Sequence, residues 1–220
     1  MRVVIAGGHG KIALHLEEQL AHRGDQPVAL IRNPEHAGDV RATGAEPVVV
    51  DLEAVGADEL AEHLRGADAV VFAAGAGPGS TAERKRTVDR DGALLLADAA
   101  ARAGVRRYLL VSAMGVEKAP SEADDDSIWG EYLRAKRDAE QGVLAHDDLD
   151  VTVLRPGRLT DEAATGRVTL AEGEVGHEEV TREDTAATLV ALLDAPATAG
   201  RTLELVNGTV PLTTAMDSFS

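Results

Sequence analysis

The sequence predicts an α/β fold built on a doubly wound parallel sheet, and three observations carry the prediction. Short β-type runs alternate along the chain with longer stretches of helical periodicity, the pattern of successive βαβ units. Most of the β-type runs are apolar at every position, as expected of parallel strands covered by helices on both faces. A glycine cluster, Gly7, Gly8 and Gly10, sits between the first such run and the first helical stretch.

In chain order, strands are expected at Val3–Ala6, Val28–Ile31, Pro47–Val50, Ala69–Ala73, Tyr108–Ser112 and Val151–Leu154. Helical patterns lie between them at Lys11–Arg23, Ala57–Leu64, Glu83–Ala103 and Trp129–Ala145. A further helix, Arg182–Leu193, follows Thr181, which makes a variant of the capping box with Asp184. A last strand is expected near Thr202–Val206. Right-handed crossovers then wind the sheet in both directions from its first strand. The loops Gly75–Ser80 and Ala119–Asp126 are the loosest stretches. Both follow strand carboxyl ends, the side on which such sheets bind ligands.

A chain of 220 residues with 44% hydrophobic content can bury one sizeable core. The absence of cysteine excludes disulfides, thiolate metal sites and a cysteine nucleophile. The seven histidines show no ligand spacing, so no metal site is expected. A net charge of −16 opposes attachment to nucleic acid or to anionic lipid. No apolar run approaches the roughly 18 residues of a membrane span, and no signal peptide is expected ahead of the first strand. The expected location is cytoplasmic.

Gly7, Gly10 and Ala13 form G-x-x-G-x-x-A at the turn from strand to helix. The first glycine permits a tight turn, the second lets the backbone approach a phosphate, and the small third residue lets helix and strand pack. Backbone N–H groups at the start of the helix then face the diphosphate of a dinucleotide. The second strand ends at Arg32, where an NAD site places a carboxylate for the ribose 2′-hydroxyl. Asp25 precedes that strand and lies at its wrong end. A guanidinium at the strand end pairs with a 2′-phosphate, so NADP(H) is expected over NAD(H), with Lys11 as a second positive charge. Asp51 ends the third strand, where it suits an adenine amino group with Leu52 beside the ring, or caps the segment that follows. Small residues at Ala73, Ala74 and Gly75 let the chain pass close to a ribose; a plain tight turn uses them equally well.

Tyr132 and Lys136 stand four residues apart in a helical stretch and therefore share a face. A nearby ammonium favours the phenolate, so the tyrosine pKa is expected to fall toward neutrality. Such a tyrosine exchanges a proton with a carbonyl oxygen. Ser112 ends the preceding strand. Tyr108, the other tyrosine, lies within a strand pattern and is expected in the core.

With these residues the chain resembles the short-chain dehydrogenase/reductase superfamily, in its atypical NAD(P)H-binding branch with the NmrA-like members. The resemblance spans nearly the full length and rests on "AGGHGKIA", "VDRDGALLLADAAARAGVRRYLLVSAMG", "YLRAK", "LRPGRLT" and "VTREDTAATLVALL". It implies a single Rossmann-type NAD(P)-binding domain over 1–220, with 156–220 contributing a small substrate-side part. It implies phosphate contacts from Gly7, Gly8, His9, Gly10, Lys11 and Ile12, a 2′-phosphate contact from Arg32, and adenine contacts from Asp51 and Leu52. Ribose or nicotinamide contacts are implied for Ala73, Ala74, Gly75, Ser112, Tyr132 and Lys136, and for Pro156, Gly157, Arg158 and Leu159.

The implied activity is NADPH-dependent reduction of a small carbonyl or quinone-like substrate. Tyr132 is the implied proton donor, Lys136 holds the ribose and tunes the tyrosine, and Ser112 orients the carbonyl. One residue departs from the family pattern: the second hydroxyl after the fifth strand is replaced by Ala113. That departure keeps open a non-catalytic NADP-binding sensor. A third reading is an epimerase or a flavin or quinone reductase, with Trp129 and Met114 lining a pocket for a planar substrate. The stretch after Pro156 is short beside relatives that handle nucleotide-sugars, which implies a small substrate or none. Helices beginning near Glu83 and Trp129 commonly pair between subunits in this superfamily, which leaves a homodimer open without fixing the oligomeric state.

Overall fold

The computed structural model describes residues 1–77, 79–176 and 178–219. Pro78 in the Gly75–Ser80 loop, His177 among the histidines and Ser220 at the end of the expected domain lie outside the described residues. The strands are β1 (Arg2–Ala6), β2 (Gln26–Ile31), β3 (Glu46–Val49), β4 (Ala69–Phe72), β5 (Arg107–Val111) and β6 (Asp150–Pro156). They continue with β7 (Arg158–Thr160), β8 (Arg167–Ala171), β9 (Glu179–Thr181), β10 (Arg201–Asn207) and β11 (Val210–Pro211). The helices are α1 (Lys11–Arg23), α2 (Ala37–Ala42), α3 (Ala57–Leu64), α4 (Ala82–Arg84), α5 (Gly92–Ala103), α6 (Ile128–Leu144), α7 (Arg182–Leu193) and α8 (Leu212–Met216). A wider, π-type stretch, Lys85–Asp91, joins α4 to α5.

Among the described residues, nine strands form one sheet in the order β11-β8-β10-β6-β5-β4-β1-β2-β3, and β7 pairs with β9 in a second, small sheet. From β3 across to β10 the neighbours are parallel, and β8 and β11 finish that edge antiparallel. The strand order reverses between β1 and β4, which opens a crevice at their carboxyl ends. The expected doubly wound parallel sheet is therefore present, with an antiparallel margin that the sequence reading did not include.

The central strands are largely apolar because both faces are covered. In β1, Val4 and Ala6 join a core with Leu60, Leu64, Leu96 and Val143 from α3, α5 and α6. Val3 and Ile5 point the other way, into a core with Leu16, Leu20, Leu189 and Leu192 from α1 and α7. Successive strand side chains alternate faces, so each core takes every second residue. Tyr108 is fully buried and donates to the Ala93 carbonyl at 2.9 Å, as a core tyrosine should.

Arg107 ties residues after Pro156 to the main sheet. Its guanidinium donates to the Asp150 carbonyl (3.0 Å), Thr152 Oγ1 (2.8 Å), the Leu192 carbonyl (2.6 Å) and Thr198 Oγ1 (2.9 Å). Replacing it by leucine leaves several buried acceptors unpaired. Arg107→Leu is expected to destabilise the protein by about 3 kcal/mol. Urea unfolding checks this, and a loss below about 1 kcal/mol makes the guanidinium dispensable.

Candidate active site

The glycine turn lies against the neighbouring strands. Gly7 has φ +83°, and a Cβ there would lie 2.5 Å from Ala74 Cα. A Cβ at Gly8 would lie 2.5 Å from Ala29 Cβ. These two glycines are required by close backbone approach. Gly10 is different: it is the N-cap of α1, with φ −69° and ψ 147°, an extended conformation open to any residue. It provides no side-chain cap, and the first turn of α1 carries no acidic residue. The first N–H groups of this helix thus face the crevice without a side-chain partner at the cap, an arrangement that suits an anion.

A cleft of about 340 Å³ runs from this turn across the carboxyl ends of β1, β2 and β4. Gly7, Gly8, His9 and Gly10 line it, with Arg32, Asp51, Leu52, Ala73, Ala74 and Gly75, all of them residues singled out in the sequence. Lys11, Ile12, Pro156, Gly157, Arg158 and Leu159 are not among its lining residues. Lys11 turns away from Arg32 and pairs with Asp161 at 2.5 Å, and Arg182 meets the same carboxylate at 2.7 Å. Lys11 therefore does not stand beside Arg32 as a second positive charge. Ile12 packs against the α1/α7 core. Pro156 and Gly157 are held by backbone bonds to Met114 and Leu205, and Arg158 pairs with Glu179. Leu159 lies in β7 and packs on the same core as Ile12.

The rim of the cleft is charged. Arg32 reaches Glu53 at 3.2 Å, and Arg84 reaches the same carboxylate at 2.9 Å. Asp51 accepts the Glu53 N–H at 3.0 Å, so it caps the turn after β3 as well as lining the cleft. His9 stacks on His36 with ring centroids 3.6 Å apart and meets Asp39 at 2.9 Å.

Beyond the cleft, Tyr132 and Lys136 on α6 meet two residues of the π-type stretch, and Lys136 also reaches the end of β5, next to Ser112. Lys136 Nζ donates to the Val111 carbonyl at 3.1 Å and lies 3.5 Å from Asp89 Oδ1. Asp89 Oδ2 accepts the Ala76 N–H at 3.0 Å. Lys85 Nζ donates to the Gly77 carbonyl at 2.9 Å and lies 5.1 Å from the centre of the Tyr132 ring. Trp129 is exposed, and its ring centre lies 5.2 Å from that of Tyr132. Ser112 is buried, and its Oγ has no hydrogen-bond partner among the described residues. Ser80 Oγ and Thr160 Oγ1 are buried without partners as well, so the unpaired state by itself does not single out Ser112.

This geometry corrects one expectation. Lys136 does not draw the Tyr132 pKa down. Burial pushes that pKa above the ordinary tyrosine value, and the Asp89 carboxylate adds to the rise. Lys136 is itself pushed down by burial, against the pull of Asp89. The tyrosine is a neutral hydroxyl at physiological pH.

Asp89, Lys85 and Glu53 were absent from the residues singled out in the sequence. A signal for Asp89 existed. It stands four residues before Ala93 and seven before Leu96, so it extends the apolar stripe of α5 backward. The surrounding "ERKRTVDRDG" reads as a solvated charged face, which hides it.

A family model described as NAD(P)H-binding matches residues 7–196. A Bacillus subtilis protein named as an uncharacterized sugar epimerase, YhfK, is 33% identical over 221 residues, covering 98% of this chain and 99% of its own. A structure from Bacillus halodurans, described as an NAD-dependent epimerase/dehydratase, is 34% identical with a TM-score of 0.89, covering 99% of each chain. The structure of ChuY, an anaerobilin reductase from Escherichia coli O157:H7, is 25% identical with a TM-score of 0.78, covering 94% of this chain and 97% of that one.

Proposed function

The chain belongs to the NAD(P)H-binding family, and on that premise we propose that it is an NADPH-dependent reductase of the atypical short-chain dehydrogenase/reductase type. Its substrate is a small carbonyl or quinone-like compound, and Tyr132 is the proton donor. The observation that carries this reading is the Tyr132–Lys136 pair on one face of α6, with Lys136 fixed on the end of β5 beside Ser112, beyond a glycine cradle. The cradle fits a dinucleotide, because the α1 N-terminus lacks both a side-chain cap and an acidic first turn.

NADPH, when bound, would supply a hydride. Tyr132 would give its hydroxyl proton to the substrate carbonyl oxygen as the carbon is reduced, and would regain a proton from water. The Ser112 Oγ is free to donate to the same oxygen and hold it in line. Lys136, fixed by the Val111 carbonyl, would hold the cofactor ribose. Trp129 offers an exposed planar face beside the tyrosine, which favours a flat, conjugated substrate. An uncharacterised relative named as an epimerase and a structural neighbour named as a reductase bracket the chemistry of this fold. Screening NADPH oxidation against aldehydes, ketones, quinones and flavins tests the reading. Stoichiometric oxidation with one class supports it. Tight NADPH binding with no turnover in any class overturns it in favour of a sensor, the reading that Ala113 favours.

Cofactor choice is part of the proposal. Two guanidinium groups, Arg32 and Arg84, converge on Glu53 at the cleft rim, where a 2′-phosphate can displace the carboxylate. NADPH is expected to bind more tightly than NADH. Arg32→Asp should narrow or reverse the preference by about 1.5–3 kcal/mol, the range for hydrogen bonds to charged groups. Calorimetric titration with both dinucleotides decides it, and equal affinities in the unaltered protein contradict it.

A further inference from the structure

Asp89 is 1% exposed, and neither the glycine cradle nor the tyrosine–lysine pair calls for a carboxylate at its position. A buried carboxylate is costly unless it is paired. Here one oxygen faces Lys136 Nζ at 3.5 Å and the other accepts from Ala76 at 3.0 Å. A Cβ on Gly75 would lie 3.0 Å from Asp89 Oδ1, so the loop after β4 is folded tightly against it. The π-type stretch that carries Asp89 is a form of helix found most often as a local widening at functional sites.

We propose that Asp89 is a positioning residue that takes the Lys136 ammonium as its counter-ion and thereby reserves Tyr132 for proton donation. The proposal rests on the reductase reading above. An unopposed ammonium one helical turn from a phenol stabilises the phenolate. With Asp89 beside it, the ammonium keeps its place on the Val111 carbonyl, and the carboxylate opposes its pull on the phenol.

The other charged groups around the tyrosine are accounted for. Lys85, from the same stretch as Asp89, is held over the ring face by the Gly77 carbonyl, and its positive charge there is a constant background that substitution of Asp89 leaves in place. Glu131 on α6 is balanced by Arg134 at 3.1 Å and Arg86 at 3.4 Å. Glu140, also on α6, is balanced by Arg155 at 2.6 Å. The pair Asp89–Lys136 is thus the adjustable element. The raised pKa of Tyr132, from burial and then from Asp89, agrees with this geometry. Its consequence is a site loaded with its proton through the neutral and moderately alkaline range, in which a reaction that must begin with tyrosinate as base finds little of it.

The test reads tyrosinate directly by ultraviolet difference absorbance, in the full chain without cofactor or substrate. The signal is assigned by Tyr132→Phe, because Tyr108 is the chain's other tyrosine. The parent Tyr132 is expected to remain un-ionised at about pH 10.5, above the ordinary tyrosine midpoint near 10. In Asp89→Asn the midpoint should fall by about one pH unit or more, a tenfold change in the ionisation constant. Asp89→Glu, which keeps the charge, should restore the parent behaviour. If Asp89→Asn does not fold, Asp89→Ser removes the same charge without added bulk and gives the same readout. Ionisation of Tyr132 no earlier in the charge-removing variant than in the parent overturns the proposal. Because no turnover is measured, this result is separate from the substrate panel: a silent panel sinks the reductase reading, and an unmoved midpoint sinks the role of Asp89.

Discussion

Replacing Tyr132 by phenylalanine is expected to lower turnover by about 10²–10⁴-fold, the usual cost of losing a positioned general acid. The substitution keeps the ring, and with it the contacts to Trp129 and Lys85, and removes only the hydroxyl. NADPH affinity should barely change, since the proposed cofactor contacts lie at the glycine turn and Arg32. Lys136→Ala should lower turnover and also weaken NADPH binding, because the ammonium is asked to serve the ribose as well. It also leaves Asp89 buried without its counter-ion, so its folding must be checked by a thermal melt. The pH profile carries a sign. A tyrosine pulled down toward neutrality would lose its donor form, and the reduction its rate, as pH rises through 7. Tyr132 is pushed up instead, by burial and by Asp89, so the protein-side donor persists. Reduction should hold level from neutral into alkaline pH and fall only above the ordinary tyrosine range. A Tyr132→Phe protein that turns over as fast as the parent reduces the tyrosine to pocket wall.

The boundaries of α1, α3 and α7 agree with the sequence reading because each has a local stop or start signal. Gly24 closes α1 at φ +88°, and the Thr181 hydroxyl accepts the Asp184 N–H to open α7. The antiparallel margin was missed although a signal was present. In β8, Val168 and Leu170 alternate with exposed neighbours, the period-two pattern of a half-buried strand. The flanking glycines and glutamates mask that alternation. Three-residue strands such as β7 and β9 carry too little sequence to show any period; pairing with each other defines them. The π-type widening before α5 left no local mark either, since its residues read as ordinary helix.

In the site, spacing foretold that Tyr132 and Lys136 share a face of one helix and that the glycine turn leads from β1 into α1. The counter-ions of the site's charged groups were not legible. Arg32 meets Glu53, Lys11 meets Asp161 and Lys136 meets Asp89, each from a different segment of the chain. A chain with 38 acidic residues offers many candidate partners, and only the tertiary fold selects among them. The error about the Tyr132 pKa has that origin. Its local partner, Lys136, was visible in the helix, whereas the carboxylate that offsets it comes from the crossover before α5. Burial, the larger cause of the rise, is likewise a property of the assembled sheet and helices.

Gly10→Val is expected to weaken dinucleotide binding by at least about a hundredfold, some 2.7 kcal/mol, while leaving a folded protein. The three glycines of the turn differ in what a side chain would meet. At Gly7 it would meet the Ala74 backbone in a left-handed conformation, and at Gly8 it would meet Ala29. Substitutions there strain the fold, so loss of binding would prove nothing. Gly10 already has a backbone conformation that valine adopts. A Cβ at Gly10 would lie 3.1 Å from the Gly7 carbonyl and 3.7 Å from the Ala73 carbonyl, a contact met by a small adjustment. The valine methyl groups would then stand at the α1 N-terminus, in the space a diphosphate needs to reach the free N–H groups. Valine is a poorer N-cap than glycine, which costs the helix about 1 kcal/mol at most and should appear as a modest drop in melting temperature. Calorimetry with NADPH and NADH, alongside a thermal melt, separates the two effects. Gly10→Ala, with one methyl in the same place, should fall between parent and valine in affinity. A folded Gly10→Val protein that binds NADPH as tightly as the parent would mean that the turn serves packing alone, and that the dinucleotide lies elsewhere.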